Sequence, residues 1–357
     1  MEHVLDDAGK RNAGGAKEMQ FGLYGTAAHV TVGSPEVTQA VRESLGPLPE
    51  GRQDLQFEFG LEVMRAAEKG GFDIILWAER HLGADIMPWL FAASVGSRLE
   101  RMRSMVAVHP GLWHPTLIAK MSTSLDRLCK GGSAINIVAG ANESEFQMFG
   151  GTAMLDDSGR YVRATEFIKI IQGMYTDEKF TLEGRYYQVV DAELRLKPRS
   201  AAPPEIFTAA SSDPGREMVA EVGDWWFLPY SRAITTPDEL LRELEKSISD
   251  MTQRMKRRGR QVRFAFNPFI GFGKSSGDAL ERTVQRILAN EKNPDTDKIR
   301  RSMLPPTLAG CMGTPEAIRK QIKRFEDMGV ELLLFKLTAG VGDVSRIGDE
   351  IIQPYRQ

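Results

Sequence analysis

The chain has 357 residues, a hydrophobic fraction of 42% and a charged fraction of 26%, values that are ordinary for a globular enzyme. Its 46 Lys and Arg residues almost balance its 48 Asp and Glu residues, which argues against a nucleic-acid-binding protein and against a polybasic membrane anchor. The sequence has no apolar run long enough to span a bilayer, no signal-peptide pattern, and too few cysteines for a disulfide framework, so we expect a reduced, cytoplasmic protein without membrane attachment.

Short apolar runs alternate with amphipathic segments through the first half of the chain. Residues 1–18 are predicted to be a disordered leader, and buried strands are predicted at 19–24, 72–77, 102–108 and 133–139. Helices are predicted at 57–69, 88–97 and 114–128. The strands are too uniformly apolar to have a solvated face, which is typical of parallel strands covered by helices.

The same alternation continues in the second half. Helices are predicted at 158–175, 213–222, 237–258, 274–293, 315–327 and 344–357. Strands are predicted at 205–208, 224–228, 262–270 and 330–337, with a β-hairpin insertion near 179–190 and a mobile excursion near 292–308. This order favours one (β/α)8 TIM barrel over residues 19–357, with insertions, rather than two doubly wound domains.

Several common site motifs are absent from the sequence. It has no G-x-G-x-x-G, H-E-x-x-H or G-x-S-x-G, and Gly273-Lys274-Ser275 fits a strand-to-helix turn better than a phosphate loop. None of the five histidines is paired with another at metal spacing on a helix, so we predict no metal site.

The active site of a (β/α)8 barrel lies at the C-terminal ends of its strands, and polar residues follow most of the predicted strands. These residues are His29, Glu79, Arg80, His81, His109, Asn136, Glu145, Ser211, Ser212, Tyr230 and Lys336. The serine pair precedes a helix, where backbone N–H groups and hydroxyls can hold a phosphate, although a simple helix cap is the alternative. His109 is the best-placed acid or base, with a packing histidine as the alternative.

Five sequence segments carry a resemblance to a known family. They are VAVHPGLWHP at 106–115, INIVAG at 135–140, GRY at 159–161, AASSD at 209–213 and GTP at 313–315. Their order and spacing resemble the bacterial luciferase-like flavin-dependent monooxygenases, and most of all the branch that acts on alkanesulfonates, dimethylsulfone and pyrimidines. The resemblance spans roughly residues 20–355.

The resemblance implies a two-component monooxygenase that uses reduced FMN. Such an enzyme activates O2, its co-substrate, as a flavin peroxide and then oxygenates a small organic molecule or cleaves its C–S, C–N or C–halogen bond. A separate NAD(P)H-dependent flavin reductase supplies the flavin, and the family favours a homodimer or homotetramer. A deazaflavin-dependent hydride-transfer oxidoreductase and a non-catalytic flavin-binding protein are the alternatives.

The resemblance also implies roles for individual residues. The cofactor-binding residues would be Glu79, Arg80, Asn136, Glu145, Arg160, Tyr161, Ser211 and Ser212. The catalytic residues would be His109, His29 and Asn136, and the substrate pocket would include His81, Trp113, Trp226 and Tyr230. Helix caps, surface ion pairs and buried packing are the corresponding structural alternatives.

One departure from the family concerns the substrate. Alkanesulfonate monooxygenases carry a His and Arg pair after the sixth strand, where this chain has Pro229-Tyr230. We therefore do not expect sulfonate recognition through that pair, and the neighbouring aromatic residues favour a less charged, aromatic or heterocyclic substrate.

Overall fold

The computed structural model describes residues 18–25, 54–79, 81–82, 86–140, 143–149, 154–200, 202–231, 233–234, 236–289, 311–336 and 341–357. Four predictions therefore lie wholly or mostly outside the described residues: the leader at 1–18, the excursion at 292–308, and the roles of His29 and Arg80.

The strands of the described residues are β1 Gln20–Tyr24, β2 Ile74–Trp77, β3 Arg103–Val108, β4 Ser133–Ile137, β5 Phe180–Glu183, β6 Gln188–Ala192, β7 Glu205–Ala209, β8 Trp225–Phe227, β9 Arg263–Phe266, β10 Gly271–Phe272, β11 Met312–Gly313 and β12 Val330–Phe335. The helices are Leu55–Lys69, Pro88–Gly96, Pro115–Leu128, Glu143–Phe149, Asp157–Thr176, Asp213–Val222, Pro237–Arg258, Ser276–Ala289, Pro315–Asp327, Val341–Ile347 and Gln353–Tyr355. A π-helix, Gly348–Ile352, joins the last two helices. No helix among these described residues is long and apolar enough to cross a membrane.

Eight of the strands form a closed barrel in the order β1-β12-β9-β8-β7-β4-β3-β2. Every neighbouring pair is parallel, as β1 with β12 and β3 with β4 illustrate. The predicted (β/α)8 barrel is confirmed. The small β10-β11 pair and the helix Glu143–Phe149 were not predicted.

Side chains alternate along each barrel strand between two apolar layers. On β4, Ala134 belongs to the cluster inside the barrel, whereas Ile135 and Ile137 pack outward against the helices. Because successive side chains of a strand point to opposite faces, Asn136 points inward with Ala134. The barrel interior is filled by apolar side chains, and Phe207 and Trp225 stack there with ring centroids 5.0 Å apart.

An ionic network closes the N-terminal end of the barrel. Glu205 on β7 pairs with Arg103 on β3, and its Oε1 lies 3.2 Å from Nη1 of Arg263 on β9. Trp225 Nε1 also donates to Glu205 at 3.0 Å. Burial alone would raise the pKa of Glu205, but the charges of Arg103 and Arg263 and the tryptophan hydrogen bond lower it below its usual value.

The hairpin β5-β6 packs over the opposite, C-terminal end through one acidic side chain. Glu166 accepts hydrogen bonds from the backbone N–H groups of Arg185, Tyr186 and Tyr187, at 2.8, 2.8 and 3.0 Å. The Tyr187 hydroxyl then accepts from the Gly111 N–H at 2.9 Å, just after β3. The hairpin thus fixes the loop that carries His109 and Trp113.

Candidate active site

Four titratable side chains meet at the C-terminal ends of β2, β3 and β4. His81 Nε2 lies 3.2 Å from Glu79 Oε2, and the two side chains are only 2% and 0% exposed. His109 Nδ1 lies 3.8 Å from Glu145 Oε2, and the two histidine rings are 5.9 Å apart. Glu145 also accepts a 2.9 Å hydrogen bond from the His81 N–H, which ties the two pairs together.

The two histidines differ in their affinity for a proton. Burial lowers the pKa of His81, but the Glu79 carboxylate beside it and the charge of Glu145 outweigh that effect, and the net pKa is raised. Burial also lowers the pKa of His109, and there the two carboxylates offset it only in part, so the net pKa is lowered. Between the two pKa values His81 is a cation while His109 is neutral, so the cluster holds one proton donor beside one proton acceptor.

Two aromatic side chains contact this cluster. Trp113 Nε1 donates to both carboxylate oxygens of Glu79, at 3.0 and 3.1 Å. The Phe149 ring stands edge-on to His81 at 4.8 Å. Phe149 and Glu145 belong to the same short helix, Glu143–Phe149, so this unpredicted element supplies both a ring contact and a carboxylate.

A second polar group lies where β7 leads into the helix Asp213–Val222. Ser212 is the N-cap of that helix, and its buried Oγ has no well-formed hydrogen bond among the described residues. Asp157 links Ser212 to Arg160. The Ser212 hydroxyl and the Arg160 guanidinium both interact with the Asp157 carboxylate and lower its pKa. The guanidinium also stacks on Tyr161 at 4.9 Å. A helix N-terminus, a hydroxyl and a cation together form a phosphate-binding arrangement.

Asn136 lies inside the barrel between these two groups. It is 6% exposed, and its Oδ1 has no hydrogen-bond partner among the described residues. The Oδ1 of Asn267, which follows β9, is also buried without a partner in the described part of the chain. Because unpaired buried polar atoms are costly, both amides are consistent with a site that binds a polar ligand.

The remaining predicted residues lie at different depths. Tyr230 is partly buried and packs edge-on to Phe266, at 6.0 Å. Trp226 is fully buried in the outer layer, where its Nε1 donates to the Ala210 carbonyl at 3.0 Å. It is the neighbouring Trp225 that faces the barrel interior. Ser211 is exposed, and its carbonyl accepts a hydrogen bond from Arg216.

Sequence reasoning assigned no role to three polar residues near the site. Arg163 is 4% exposed, with its guanidinium 5.1 Å from the Phe146 ring. Lys336 and Asn267 follow β12 and β9 at the barrel mouth. Lys336 is one of the polar residues that follow a predicted strand, and this position is the sequence signal for a site residue. Across the described ranges, no three His, Cys, Asp or Glu side chains are grouped to hold a metal ion.

Comparison with known proteins shows the family to which the chain belongs. The model of the luciferase-like monooxygenase family matches residues 41–332, more than half of the chain. The chain therefore belongs to the luciferase-like monooxygenase family, as the sequence motifs predicted.

Two curated relatives are similar over much of the chain. The FMNH2-dependent dimethylsulfone monooxygenase of Pseudomonas putida is 28% identical over 250 residues, which are 67% of this chain and 65% of that protein, just under two thirds of its length. The FMNH2-dependent dimethylsulfone monooxygenase of Pseudomonas fluorescens strain Pf0-1 is 29% identical over 338 residues, 86% of this chain and 90% of that protein. Among solved structures, the long-chain alkane monooxygenase LadA superposes with a TM-score of 0.73 at 16% identity, covering 95% of this chain and 91% of that one.

Proposed function

We propose that this protein is a two-component monooxygenase that uses reduced FMN and O2 to oxygenate a small organic molecule at a C–S bond. The observation that carries the proposal is the pairing of a helix end suited to phosphate with a buried histidine–carboxylate cluster at one barrel mouth. Family membership and the FMNH2 dependence of both curated relatives support the cofactor, and their action on dimethylsulfone supports the C–S class.

The residues at the mouth fit FMN. Ser212, with its buried hydroxyl at a helix N-terminus, would hold the phosphate together with Arg160, Tyr161 and Ser211. Asn136, with its unpaired Oδ1, would hold polar atoms of the ring. Bound reduced FMN supplies the electrons that activate O2.

The histidine–carboxylate cluster would handle protons and charge. His81, whose pKa is raised by Glu79 beside it, would when protonated stabilise negative charge that develops on oxygen in the pocket. His109, kept neutral by burial, has a buried Nδ1 without a hydrogen-bond partner among the described residues and would exchange a proton with the ligand. Trp113 seals the cluster and, with Tyr230, would form apolar walls for the substrate. His29 would act with His109, and Arg80 would act with Glu79 at the ring.

The proposed cofactor, reduced FMN, also implies a partner protein. An FMNH2-dependent enzyme receives its flavin already reduced, so a separate NAD(P)H-dependent flavin reductase would serve this chain. We expect a cytoplasmic homodimer or homotetramer, as the family resemblance implies.

One experiment separates this function from its alternatives. The protein is mixed with photoreduced FMN, isotopically labelled O2 and a panel of sulfones, sulfonates, pyrimidines and halogenated aromatics. We expect labelled oxygen in the product of at least one substrate, with a sulfone the first to react. Hydride transfer from reduced deazaflavin without oxygen incorporation would instead establish the reductase, and flavin binding with neither reaction would establish a non-catalytic flavin-binding protein.

A matched pair of variants tests the phosphate site separately. Ser212→Asp places a negative charge beside the phosphate and should weaken FMN binding by at least about tenfold. Ser124→Asp introduces the same charge at an exposed position on another helix and should leave the affinity unchanged. Equal affinities for the two variants would remove Ser212 from the phosphate site.

A further inference from the structure

Lys336 stands at the mouth of the barrel with a fixed direction. It follows β12, on which Leu332 and Leu334 belong to the cluster inside the barrel. Because alternate side chains of a strand share a face, Lys336 continues this inner row. Its backbone is held on both sides, since its N–H donates to the Pro268 carbonyl at 2.8 Å and its carbonyl accepts from the Ile270 N–H at 3.0 Å.

The ammonium group of Lys336 has no anionic partner among the described residues. Its surroundings are aromatic, with Nζ 5.5 Å from the centre of the Tyr24 ring and 5.9 Å from that of Phe269. Burial, with no opposing charge, lowers the pKa of the amine below its usual value.

Packing alone does not explain a lysine at this position. Contact of a cation with an aromatic face stabilises by about 0.5–2 kcal/mol, whereas withdrawing an ammonium group from water costs several kcal/mol. An apolar side chain would complete the inner row formed by Leu332 and Leu334 without that cost. The cation is therefore best explained by a ligand that it binds.

The topology places Lys336 across the barrel from Asn136, one of the residues assigned to FMN. Those residues lie on or after β2, β4 and β7, and Asn136 is on β4. In the closed order β1-β12-β9-β8-β7-β4-β3-β2, β12 stands four strands from β4 in either direction. Lys336 thus lies on the wall of the mouth opposite Asn136, and two strands from β2, which Glu79 follows.

We propose that Lys336 recognises the substrate of the proposed monooxygenase by donating hydrogen bonds to negatively charged or strongly polarised oxygen atoms, such as those of a sulfonyl, sulfonate or carboxylate group. This inference rests on the proposed function and refines its substrate class. It revises the expectation of a less charged, aromatic substrate, because the aromatic walls of the mouth surround a cation. It also supplies a different group for oxyanion recognition from the His and Arg pair that this chain lacks.

The test uses methanesulfonate as a small oxyanion probe, titrated into the full-length protein with and without FMN and followed by calorimetry. A charge-assisted hydrogen bond to a ligand contributes enough that Lys336→Met should weaken probe binding about ten- to a hundredfold. Lys336→Gln should lose nearly as much, and Lys246→Met, at an exposed position on the helix Pro237–Arg258, should bind like the wild type. FMN affinity should change less than about twofold in all three variants.

Each result decides a different point. Equal binding of methanesulfonate by wild type and both Lys336 variants, or no binding by the wild type, would overturn the role of Lys336. A loss of FMN affinity in the Lys336 variants equal to the loss of probe affinity would overturn it too, because the lysine would then belong to the cofactor site. Failure of the proposed oxygenation is detected separately, by the absence of labelled oxygen in any product, while probe binding needs neither O2 nor reduced flavin.

Discussion

Replacement of Glu79 by Gln should make the stability of this protein depend on pH in a new way. Glu79 is completely buried, contacts His81 Nε2 at 3.2 Å and accepts two hydrogen bonds from Trp113. Glutamine keeps the shape and one acceptor for Trp113, but it removes the negative charge that raises the pKa of His81. His81 would then be buried without its closest counter-ion.

The sign and size of the change in unfolding free energy follow from the ion pair between Glu79 and His81. The pKa of His81 in the folded protein lies above its ordinary value of 6.5, so the pair stabilises the fold fully below that value, and the contribution is lost as the pH rises through the folded-state pKa. Removing one partner of a buried ion pair costs about 3–5 kcal/mol, and the retained tryptophan bond favours the lower end. We therefore expect a loss of about 3 kcal/mol near pH 5.5 and of at most about 1 kcal/mol near pH 9.

Urea denaturation of wild type and variant across this pH range measures both losses, and the His81 ring signal in NMR titration reports its pKa directly. The control is Glu62→Gln, because Glu62 forms an exposed pair with Arg65 at 2.7 Å. That variant should stay within about 0.5 kcal/mol of wild type at every pH. A loss for Glu79→Gln that is the same at both ends of the range would refute the assignment of the charge to His81.

Three further variants test other parts of the molecule. Asn136→Leu should abolish FMN binding while leaving the free energy of unfolding equal or higher, as measured by urea denaturation, because it removes a buried amide with an unpaired oxygen. Glu205→Gln should destabilise the protein at neutral pH and progressively less as the pH falls through the lowered pKa of Glu205, so acid unfolding curves of variant and wild type should converge. Gly111→Ala should lower the melting temperature more than Gly259→Ala, because both glycines have positive φ but only at Gly111 would the new Cβ lie 2.5 Å from Cζ of Arg163.

The barrel was predictable because its strands are short apolar segments that are easily recognised in the sequence. Largely apolar runs such as 133–139, bounded by glycine, indicate burial on both faces, which helices on the outside of a parallel sheet provide. The helices Asp213–Val222 and Pro237–Arg258 end where the sequence predicted, since Gly223 and Gly259 follow them. The helix Glu143–Phe149 was missed because seven residues give too little periodicity.

Side-chain direction was harder to predict than position. In the run Trp225-Trp226-Phe227 every residue is apolar, so the sequence does not say which tryptophan faces the barrel interior; the structure turns Trp225 inward and Trp226 outward. The same limit applied to charge. Glu79 pairs with His81, two residues along the chain, whereas Lys336 pairs with no described carboxylate. Both facts depend on the geometry of the strand ends, which cannot be predicted from the residue pattern.

The ionic network of Glu205, Arg103 and Arg263 closes the N-terminal end of the barrel, so ligands would enter from the C-terminal end. Next to this network the interior is filled by Phe207, Trp225 and their neighbours, so the barrel axis offers no channel for ligands. The C-terminal mouth would therefore be the shared route for flavin, oxygen, substrate and products. A substrate lying against Lys336 would have to arrive before the flavin ring covers it or slip in beside the ring, which makes the order of arrival a property of the architecture rather than of any one residue.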